Sequence, residues 1–310
     1  MILAIVGPTG IGKTEAAVAL ARRVPSEIIV VDSMQVYRGM NRGTGKPDAS
    51  LRREIPHHGL DLVDPEQEFD AAKFRNLIVP VIEEIQSRGH LPILVGGSGL
   101  YFRAVLDGLC QAPGKDPFVR EKLLQEGQEK GAAALHAQLQ EADPEAAGRI
   151  HPNDLRRIVR ALEVFLVSGR RLSRWQGETT QPLEGEKRLI GLTCDRQILY
   201  RRIEERIDGW LEAGWLEEAS RLSRRNLSRT AGEALGYREL FAFLEGEFDW
   251  ETTVSLIKRN TRRYAKRQLA WFRADSRVEW IPVDGRAPEA AASQILERMK
   301  WNTPSLSTSA

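Results

Sequence analysis

The chain has 310 residues, with 45 Lys and Arg against 43 Asp and Glu, so its formal net charge is only +2. Its length suggests one large domain or a domain with an insert, and 42% hydrophobic residues are enough for a full core. Two cysteines exclude a disulfide framework, and no apolar run approaches the roughly 18 residues of a membrane span, so we expect a cytoplasmic protein without membrane contact.

A glycine-rich loop follows the first predicted strand. Ile2–Val6 is a short apolar run, and the next residues fit the pattern G-x-x-x-x-G-K-T before a helical stretch. The loop, here called the phosphate loop, consists of Gly7, Pro8, Thr9, Gly10, Ile11, Gly12, Lys13 and Thr14. Glycines let backbone N–H groups turn towards phosphate oxygens, and the start of the helix adds its positive dipole end. The sequence therefore predicts a polyphosphate site, with Lys13 on the terminal phosphate and the Thr14 hydroxyl on Mg²⁺.

Strands and helices alternate through the first hundred residues. Ile28–Val31 predicts a second strand that ends at Asp32, His58–Val63 a weaker third, and Leu91–Val95 a fourth that runs into Gly96–Gly99. Apolar spacing predicts a helix over 71–88. This alternation indicates an α/β fold with a parallel sheet of the P-loop NTPase type, whose ligands bind beyond the carboxyl ends of the strands. We take residues 1–114 as the first part of this core.

The character of the chain changes near residue 115. Asp116-Pro117 and Asp143-Pro144 are each typical of a helix cap followed by proline in the first turn. No convincing strand follows until residue 187, so residues 115–185 are predicted to form a helical insert. Residues 186–300 are expected to complete the core, and 301–310 to form a flexible tail.

The last part of the core is predicted from apolar spacing. A strand at 187–193 precedes a long helix over 196–222 that is broken near Gly209 or Gly214. A second long helix covers 252–273, and a strand at 278–283 and a helix at 287–299 follow.

Asp32 is open to two interpretations. It could organise Mg²⁺ as in an ordinary nucleotide hydrolase, or it could act as a general base that faces a substrate. No N-K-x-D element is present, which makes a GTPase improbable, whereas a small-molecule kinase remains an alternative. Thr44 and Lys46 lie on a further glycine-rich loop, and Gly96–Gly99 could either cradle a polar group or allow the following helix to pack closely.

Basic residues are concentrated in two stretches. Between Thr252 and Arg273 there is no acidic residue, and seven cations alternate with aromatic side chains. These cations are Lys258, Arg259, Arg262, Arg263, Lys266, Arg267 and Arg273. The insert holds a second stretch with Arg156, Arg157, Arg160, Arg170, Arg171 and Arg174. Such clusters favour contact with a nucleic-acid backbone over a merely solvated surface.

Taken together, these residues resemble the tRNA dimethylallyltransferase family, also called tRNA isopentenyltransferases, in its bacterial form. The matching segments run in order from residue 2 to about 280. The phosphate loop is shared by many NTPases, and the other segments are much more specific, the last above all. They are the phosphate loop, Asp32-Ser33-Met34-Gln35-Val36-Tyr37, Gly43–Pro47, Gly96–Tyr101, His151–Asp154 with Arg157 and Arg160–Glu163, Gly236–Glu239 and Thr261–Arg273. The departures, at Gly10-Ile11, Gly45 and Ser98, remove no functional group.

The resemblance implies transfer of a dimethylallyl group from dimethylallyl diphosphate to N6 of the adenine just 3′ of a tRNA anticodon. Mg²⁺ is the implied cofactor, the tRNA anticodon stem-loop the implied partner, and a monomer the expected state. The phosphate loop, with Arg206, would hold the diphosphate, and Asp32 would accept the proton from N6. Contacts with tRNA are implied for Asp32, Ser33, Met34, Gln35, Ser98, Arg120, Arg156, Arg157, Arg160, Gly236, Tyr237, Arg238, Arg262, Lys266 and Arg267, and Thr44 and Lys46 would orient the reacting groups.

Three alternatives to this activity are considered. A P-loop kinase of a small metabolite would consume ATP without RNA, and an adenylate isopentenyltransferase would prenylate a free nucleotide. The insert and the basic helix argue against a free nucleotide as the acceptor, because a mononucleotide needs neither, whereas the kinase would leave the basic helix as a solvated surface. An RNA-binding module without activity is disfavoured by the intact phosphate loop together with Asp32.

Overall fold

The computed structural model describes residues 1–299. Six parallel strands form one sheet in the order β3-β2-β4-β1-β5-β6. The strands are β1 Ile2–Val6, β2 Ser26–Val31, β3 His57–His58, β4 Leu91–Gly96, β5 Lys187–Thr193 and β6 Val278–Pro282. Apolar residues fill β1 on both faces, as a parallel strand covered by helices requires. The predicted α/β fold with a parallel sheet is confirmed.

Fifteen helices are described in residues 1–299. They are α1 Lys13–Ala21, α2 Ala49–Glu54, α3 Ala71–Ser87, α4 Gly99–Asp107, α5 Pro117–Lys130, α6 Ala132–Ala142, α7 Pro144–Arg149, α8 Leu155–Ser168, α9 Leu172–Trp175, α10 Arg196–Glu212, α11 Trp215–Leu222, α12 Arg229–Gly232, α13 Tyr237–Leu244, α14 Trp250–Arg273 and α15 Pro288–Met299. Among these residues, no helix is both long enough and apolar enough to cross a bilayer.

The predicted helix caps are present. The Asp116 carboxylate accepts a hydrogen bond from the Val119 N–H at 2.9 Å, and Asp143 accepts one from Ala146 at 3.1 Å. In both helices proline occupies the first turn, where its missing N–H costs nothing.

The chain folds into two compact units. The first comprises Met1–Val105 and the described residues from Glu184 onward, and it contains the sheet. The second, Leu106–Leu183, is helical, and its core includes the fully buried Leu135, Leu139 and Ile158. The predicted boundaries at 115 and 185 therefore fall inside the second unit and just beyond its end. The tail at 301–310 lies outside the described residues.

Several predicted elements differ in their extent. The strand expected at 58–63 has only two residues, because the chain turns at Gly59 and at Asp61, where φ is +52°. The long helix over 196–222 is interrupted at Gly214, with φ +97°, rather than at Gly209. Helix α14 begins at Trp250, two residues before the expected start, because the Asp249 carboxylate caps it through the Thr252 N–H at 2.7 Å.

Candidate functional site

Three loops meet at one edge of the sheet. The phosphate loop follows β1, Asp32 follows β2, and Gly97 follows β4. Val6 at the end of β1 and Val31 at the end of β2 both lie opposite Gly96. The three strands therefore end at the same level, and the groups that follow them face a common space, as the carboxyl edge of a parallel sheet predicts.

Glycines shape the phosphate loop. Gly7, Gly10 and Gly12 all have positive φ, of +148°, +82° and +97°. A Cβ atom on Gly7 would lie 2.9 Å from the Leu192 carbonyl oxygen, and one on Gly10 would lie 2.8 Å from Cγ1 of Ile203. Positive φ is unfavourable for a residue with a side chain at both positions, and at Gly7 a Cβ atom would also meet a backbone oxygen, so glycine at Gly7 is required for the tight turn.

Lys13 lies at the start of α1, with its ammonium group inside the site. Its Nζ donates a hydrogen bond to the Pro8 carbonyl oxygen at 2.8 Å. Burial, followed by repulsion from Arg206, lowers the pKa of Lys13 to about 8. A cation that is destabilised in this way is one that a bound anion would stabilise.

Arg206 approaches the phosphate loop from α10. Its Nη2 donates to the Thr9 hydroxyl at 2.5 Å, and its guanidinium carbon lies 4.5 Å from the ring centre of Trp210. Burial lowers the pKa of Arg206 to about 10. Its Nε is buried and has no hydrogen-bond partner among residues 1–299. A buried, unsatisfied guanidinium N–H costs free energy unless a ligand completes it, and an anion is the ligand it fits.

A cavity of about 90 Å³, here called the central cavity, brings the predicted reactive groups together. Its lining includes Thr9, Lys13, Thr14, Asp32, Gln35 and Arg206. Asp32 is fixed by its own turn, because its Oδ1 accepts hydrogen bonds from the Met34 N–H at 2.8 Å and the Gln35 N–H at 3.3 Å. Lys13 of the phosphate loop, Arg206 of α10 and the Asp32 carboxylate thus share a single small space.

Two larger cavities also contain residues of this group. The outer cavity, of about 870 Å³, is lined by Lys13, Thr14, Arg202 and Arg286 among others. The α14-side cavity, of about 470 Å³, is lined by Asp32, Ser33, Met34, Tyr264, Arg267 and neighbouring residues. Arg206 lines the central cavity and both larger ones, which distinguishes it from Arg202, found only in the lining of the outer cavity.

Helix α14 contributes two site residues to which the sequence assigned no role. The Gln268 Oε1 accepts a hydrogen bond from the Thr9 N–H at 2.8 Å, and its Nε2 donates to the Gly97 carbonyl oxygen at 3.0 Å. Burial and the charge of Asp32 raise the pKa of Tyr264 to about 12. The signal that could have found both is their spacing of four residues, which places them on one face of a helix.

The glycines after β4 allow α14 to pack closely. A Cβ atom on Gly97 would lie 2.0 Å from the Gln268 Nε2, and one on Gly99 would lie 2.1 Å from the Trp271 ring. Of the two interpretations left open by the sequence, close packing therefore applies to this loop. The helix that packs closely is α14, and not α4, which follows the loop in the chain.

Thr44 and Lys46 are bonded within their own loop. The Thr44 hydroxyl donates to the Met40 carbonyl oxygen at 2.7 Å. Lys46 is 1% exposed, and its Nζ lies 2.7 Å from the Asp61 carboxylate. The Thr44 carbonyl oxygen accepts from the Gln35 Nε2 at 3.0 Å. Both residues therefore hold the loop in place. They also line cavities, Thr44 the central and α14-side cavities and Lys46 the outer cavity.

Ser33, Ser98 and Gln35 are arranged around the same turn. The Ser98 hydroxyl accepts a hydrogen bond from the Ser33 N–H at 3.1 Å, so Ser98 positions the turn after Asp32. The Gln35 Oε1 is buried and has no partner among the described residues. That oxygen is an acceptor that a donor in the central cavity could satisfy.

The segment Gly236–Arg238 packs against an aromatic cluster. A Cβ atom on Gly236 would lie 2.2 Å from the Trp215 ring. The Tyr237 side chain is 0% exposed, and its hydroxyl donates to Glu218 at 2.5 Å. Burial, with the nearby Glu218 charge, raises the pKa of Tyr237. Of the three residues predicted to contact RNA here, only Arg238 has an exposed charged side chain.

The cations of α14 divide into two groups. Lys258 forms an ion pair with Asp208 at 2.7 Å, and Arg262 pairs with Glu204, so these two fasten α14 to α10. Lys266 and Arg267 are exposed, and Arg267 lines the α14-side cavity. The sequence could not separate the two groups, because the acidic partners lie 50 and 58 residues away.

In the second unit, Arg120 and Arg160 meet a buried carboxylate. The Glu163 side chain is 0% exposed and receives the Arg120 guanidinium at 2.6 Å and that of Arg160 at 2.7 Å. Arg156 and Arg157 are exposed on α8. The predicted RNA contacts in this unit are therefore placed differently, with two arginines on its surface and two held by Glu163.

Comparison with known proteins agrees with this geometry. Residues 35–275 match the family described as IPP transferase. The chain is 46% identical to the tRNA dimethylallyltransferase of Symbiobacterium thermophilum over 305 residues, which cover 97% of this chain and 96% of the relative. It is also 46% identical to the tRNA dimethylallyltransferase of Geobacter sulfurreducens, with 90% of this chain and 91% of that relative covered.

Solved structures point the same way. The full-length tRNA isopentenylpyrophosphate transferase of Bacillus halodurans matches 96% of this chain and 95% of its own, at 40% identity and a TM-score of 0.70. A eukaryotic dimethylallyltransferase acting on tRNA matches 95% of this chain and 77% of its own, at 26% identity and a TM-score of 0.79. Both the family match and the similarity to these relatives show that the chain belongs to the IPP transferase family.

Proposed function

We propose that this chain transfers a dimethylallyl group from dimethylallyl diphosphate to N6 of the adenine immediately 3′ of the anticodon in tRNA. The bond between the allylic carbon and the bridging oxygen breaks, a bond from that carbon to N6 forms, and N6 loses one proton. The products are N6-isopentenyladenosine and pyrophosphate. The observation that carries the proposal is the central cavity, where Lys13, Thr14, Asp32 and Arg206 line one space.

The phosphate loop would bind the diphosphate. Departure of pyrophosphate places negative charge on its bridging oxygen, and preorganised donors at that position lower the barrier. Lys13 and Arg206 supply the charges, and the unpartnered Arg206 Nε supplies a donor that no described residue uses. The loop glycines Gly7, Gly10 and Gly12 keep backbone and ligand close.

Asp32 would accept the proton of the nucleophile. An adenine amino group is a poor nucleophile because its lone pair is delocalised into the ring, so removal of its proton as the bond forms is worth about 10²–10⁴ in rate. The turn hydrogen bonds from Met34 and Gln35 fix the Asp32 carboxylate beside the cations. The buried Gln35 Oε1 is an acceptor that suits a second amino proton of the base.

The residues present fit Mg²⁺. No group of three or more His, Cys, Asp or Glu side chains in residues 1–299 could hold a metal by itself. Mg²⁺ commonly takes one or two protein oxygens and completes its shell with phosphate oxygens and water, and the Thr14 hydroxyl in the central cavity is such a donor. When bound, the ion would neutralise charge on the diphosphate.

The tRNA would reach the site through the α14-side cavity. A base within the anticodon stack cannot approach a diphosphate in the central cavity, so it must turn out of the stack. Ser33, Met34 and Arg267 line the α14-side cavity beside Asp32, and Arg238 borders it from α13. Lys266 in the first unit, and Arg156 and Arg157 in the second, are exposed and would contact the RNA backbone. We expect a monomer that acts where tRNA is found, in the cytoplasm.

A labelled transfer assay tests this function. The protein is incubated with Mg²⁺, dimethylallyl diphosphate labelled in the allyl group, and an anticodon stem-loop RNA with adenine at the target position. The matched control RNA carries guanine there. Label should enter only the adenine RNA. No label in either RNA would contradict the proposal. In parallel incubations with adenosine monophosphate or ATP in place of RNA, label in the monophosphate would indicate a nucleotide prenyltransferase and consumption of ATP a small-molecule kinase, and either result would also contradict the proposal.

A further inference from the structure

Arg206 is held at the phosphate loop without a counter-ion. No carboxylate among the described residues forms an ion pair with it, and its one described hydrogen bond is to the Thr9 hydroxyl at 2.5 Å. What holds its plane is the indole of Trp210, whose ring centre lies 4.5 Å from the guanidinium carbon. An aromatic face attracts a cation without neutralising its charge.

The ring of Trp210 is itself fixed by neighbours. Trp215 packs against it edge-to-face, with ring centres 5.6 Å apart and planes at 86°. A Cβ atom on Gly45 would lie 2.9 Å from Cζ2 of Trp210, so the glycine lets the loop close over the ring. Trp215 is only 1% exposed and packs in turn against Tyr237, again edge-to-face at 5.6 Å. The ring that lies against Arg206 is therefore held in place by two further aromatic side chains, packed edge-to-face.

We propose that Trp210 is a positioning residue for the diphosphate, because it orients the Arg206 guanidinium by its aromatic face and leaves the full positive charge for the ligand. A carboxylate in the same place would orient the arginine equally well but would compete with the diphosphate for it. The unpartnered Arg206 Nε agrees with this arrangement, since an arginine held by a carboxylate is usually satisfied by it. This inference rests on the proposed function, in which the phosphate loop binds a diphosphate.

A second tryptophan in the chain provides a matched control. Arg170 lies over the Trp175 ring at the same distance of 4.5 Å, but there the guanidinium also pairs with Glu178 at 2.5 Å. Trp175 belongs to the second unit and lines none of the three cavities described above. Removing its ring removes a cation–π contact at the same distance, away from the phosphate loop.

The test is the binding of inorganic pyrophosphate in the presence of Mg²⁺, measured by calorimetry on the whole chain. Trp210→Leu keeps apolar volume but loses the aromatic face, and its dissociation constant should rise about five-fold or more. Trp210→Phe keeps a ring and should recover much of the affinity, and Trp175→Leu should bind as the wild type does. Circular dichroism and thermal unfolding check that each variant is folded.

The outcomes separate the inference from the function on which it rests. If the wild type binds pyrophosphate and Trp210→Leu binds it equally well, Trp210 does not position Arg206 and only the inference is overturned. Equal losses in the Phe and Leu variants would overturn it too, because they would indicate ring volume rather than an aromatic face. If the wild type binds no pyrophosphate, the phosphate loop is not a diphosphate site and both are overturned.

Discussion

At the scale of single residues, the site is defined by two cations that form no ion pair with a carboxylate among the described residues. Lys13 and Arg206 donate to a carbonyl oxygen and a hydroxyl, whereas arginines elsewhere, such as Arg120 and Arg262, pair with carboxylates. Burial destabilises both cations and lowers their pKa values to about 8 and about 10. Perturbed groups of this kind are typical of a functional site, and here they prepare the protein for an anion.

The pKa of Lys13 predicts how substrate affinity depends on pH. In the free protein Lys13 loses its proton as the pH rises through about 8. Above that pH, binding of the diphosphate must take up a proton, so affinity falls as pH rises. We expect the KM for dimethylallyl diphosphate to be flat near neutral pH and then to rise by up to about ten-fold per pH unit.

Steady-state kinetics across this range, with Lys13→Met as the control, give the measurement. The methionine variant has no titrating group at this position, so its KM should be high throughout and should lack the rise near pH 8. A wild-type KM that stays constant through pH 8, or the same rise in the methionine variant, would show that Lys13 does not govern diphosphate binding.

At the scale of elements, the link between α14 and the phosphate loop is the feature with the clearest consequence. Gln268 bridges the Thr9 N–H and the Gly97 carbonyl oxygen, and it is 5% exposed. A helix that carries exposed cations thus also fixes the backbone of the phosphate loop. The shape of the loop depends on how closely α14 approaches Gly97.

Gly97→Ala tests this dependence. The new Cβ atom would lie 2.0 Å from the Gln268 Nε2, so the amide must move and both of its hydrogen bonds weaken. With each buried hydrogen bond worth about 1 kcal/mol, the free energy of unfolding should fall by about 2 kcal/mol. The KM for dimethylallyl diphosphate should rise as Thr9 loses its support.

Gly148→Ala is the matched control, because that glycine lies in α7 and a Cβ atom added to it would have open space within 4 Å. Chemical denaturation and steady-state kinetics on both variants complete the comparison. If Gly97→Ala matches the wild type in stability and in KM, Gln268 does not hold the phosphate loop.

The sequence predicted the elements whose signals are local. Strand β1, the phosphate loop and the Asp116 cap follow from residues that are neighbours in the chain, and all are present. Two elements, for example, differ from the prediction. The strand expected at 58–63 ends at His58, because the chain turns at Gly59. Helix α13, Tyr237–Leu244, is not predicted, because the residues that bury its apolar face are distant in the sequence.

The candidate site is also only partly predictable, because several of its contacts join residues that are far apart in the sequence. Asp32, Lys13 and Arg206 were identified from sequence, and the structure brings all three to one cavity. Gln268 and Trp210 were not given roles, because their partners, Thr9 and Arg206, are visible only after folding. Charge alone also misleads, since Arg262 and Lys258 look like free cations in the sequence and are paired in the structure.

At the largest scale, the chain consists of two compact units with different contents. The first holds the sheet, the phosphate loop and Asp32, and the second is a helical unit with its own core around Leu135 and Ile158. In the second unit the buried Glu163 forms ion pairs with Arg120 and Arg160, so these two arginines contribute to the structure of that unit.

Glu163 gives a prediction about the stability of the helical unit. Burial opposes ionisation, but Arg120 and Arg160 outweigh it and hold the pKa of Glu163 below its ordinary value of 4.5. A carboxylate with a lowered pKa stabilises the fold above its unfolded pKa, and this stability is lost as the pH falls through the lower, folded value. Stability of the helical unit should therefore decline below pH 4.5.

Glu163→Gln should remove that acid dependence and cost about 3 kcal/mol at neutral pH, because two arginines lose a buried partner. Glu178→Gln, at an exposed pair with Arg170, is the control and should change stability much less, because solvent screens the pair. Urea unfolding at several pH values measures both. Equal costs for the two variants would show that Glu163 is not a structural centre of this unit.

We propose that Asp32 takes the proton of the adenine amino group beside a bound diphosphate. The most direct measurement is the single-turnover rate of dimethylallyl transfer by Asp32→Asn, with tRNA affinity determined in parallel. We predict a rate lower by about 10²–10⁴ with an unchanged tRNA dissociation constant, since the amide keeps the shape but cannot accept the proton. An unchanged rate, or a loss explained entirely by weaker tRNA binding, would contradict the account.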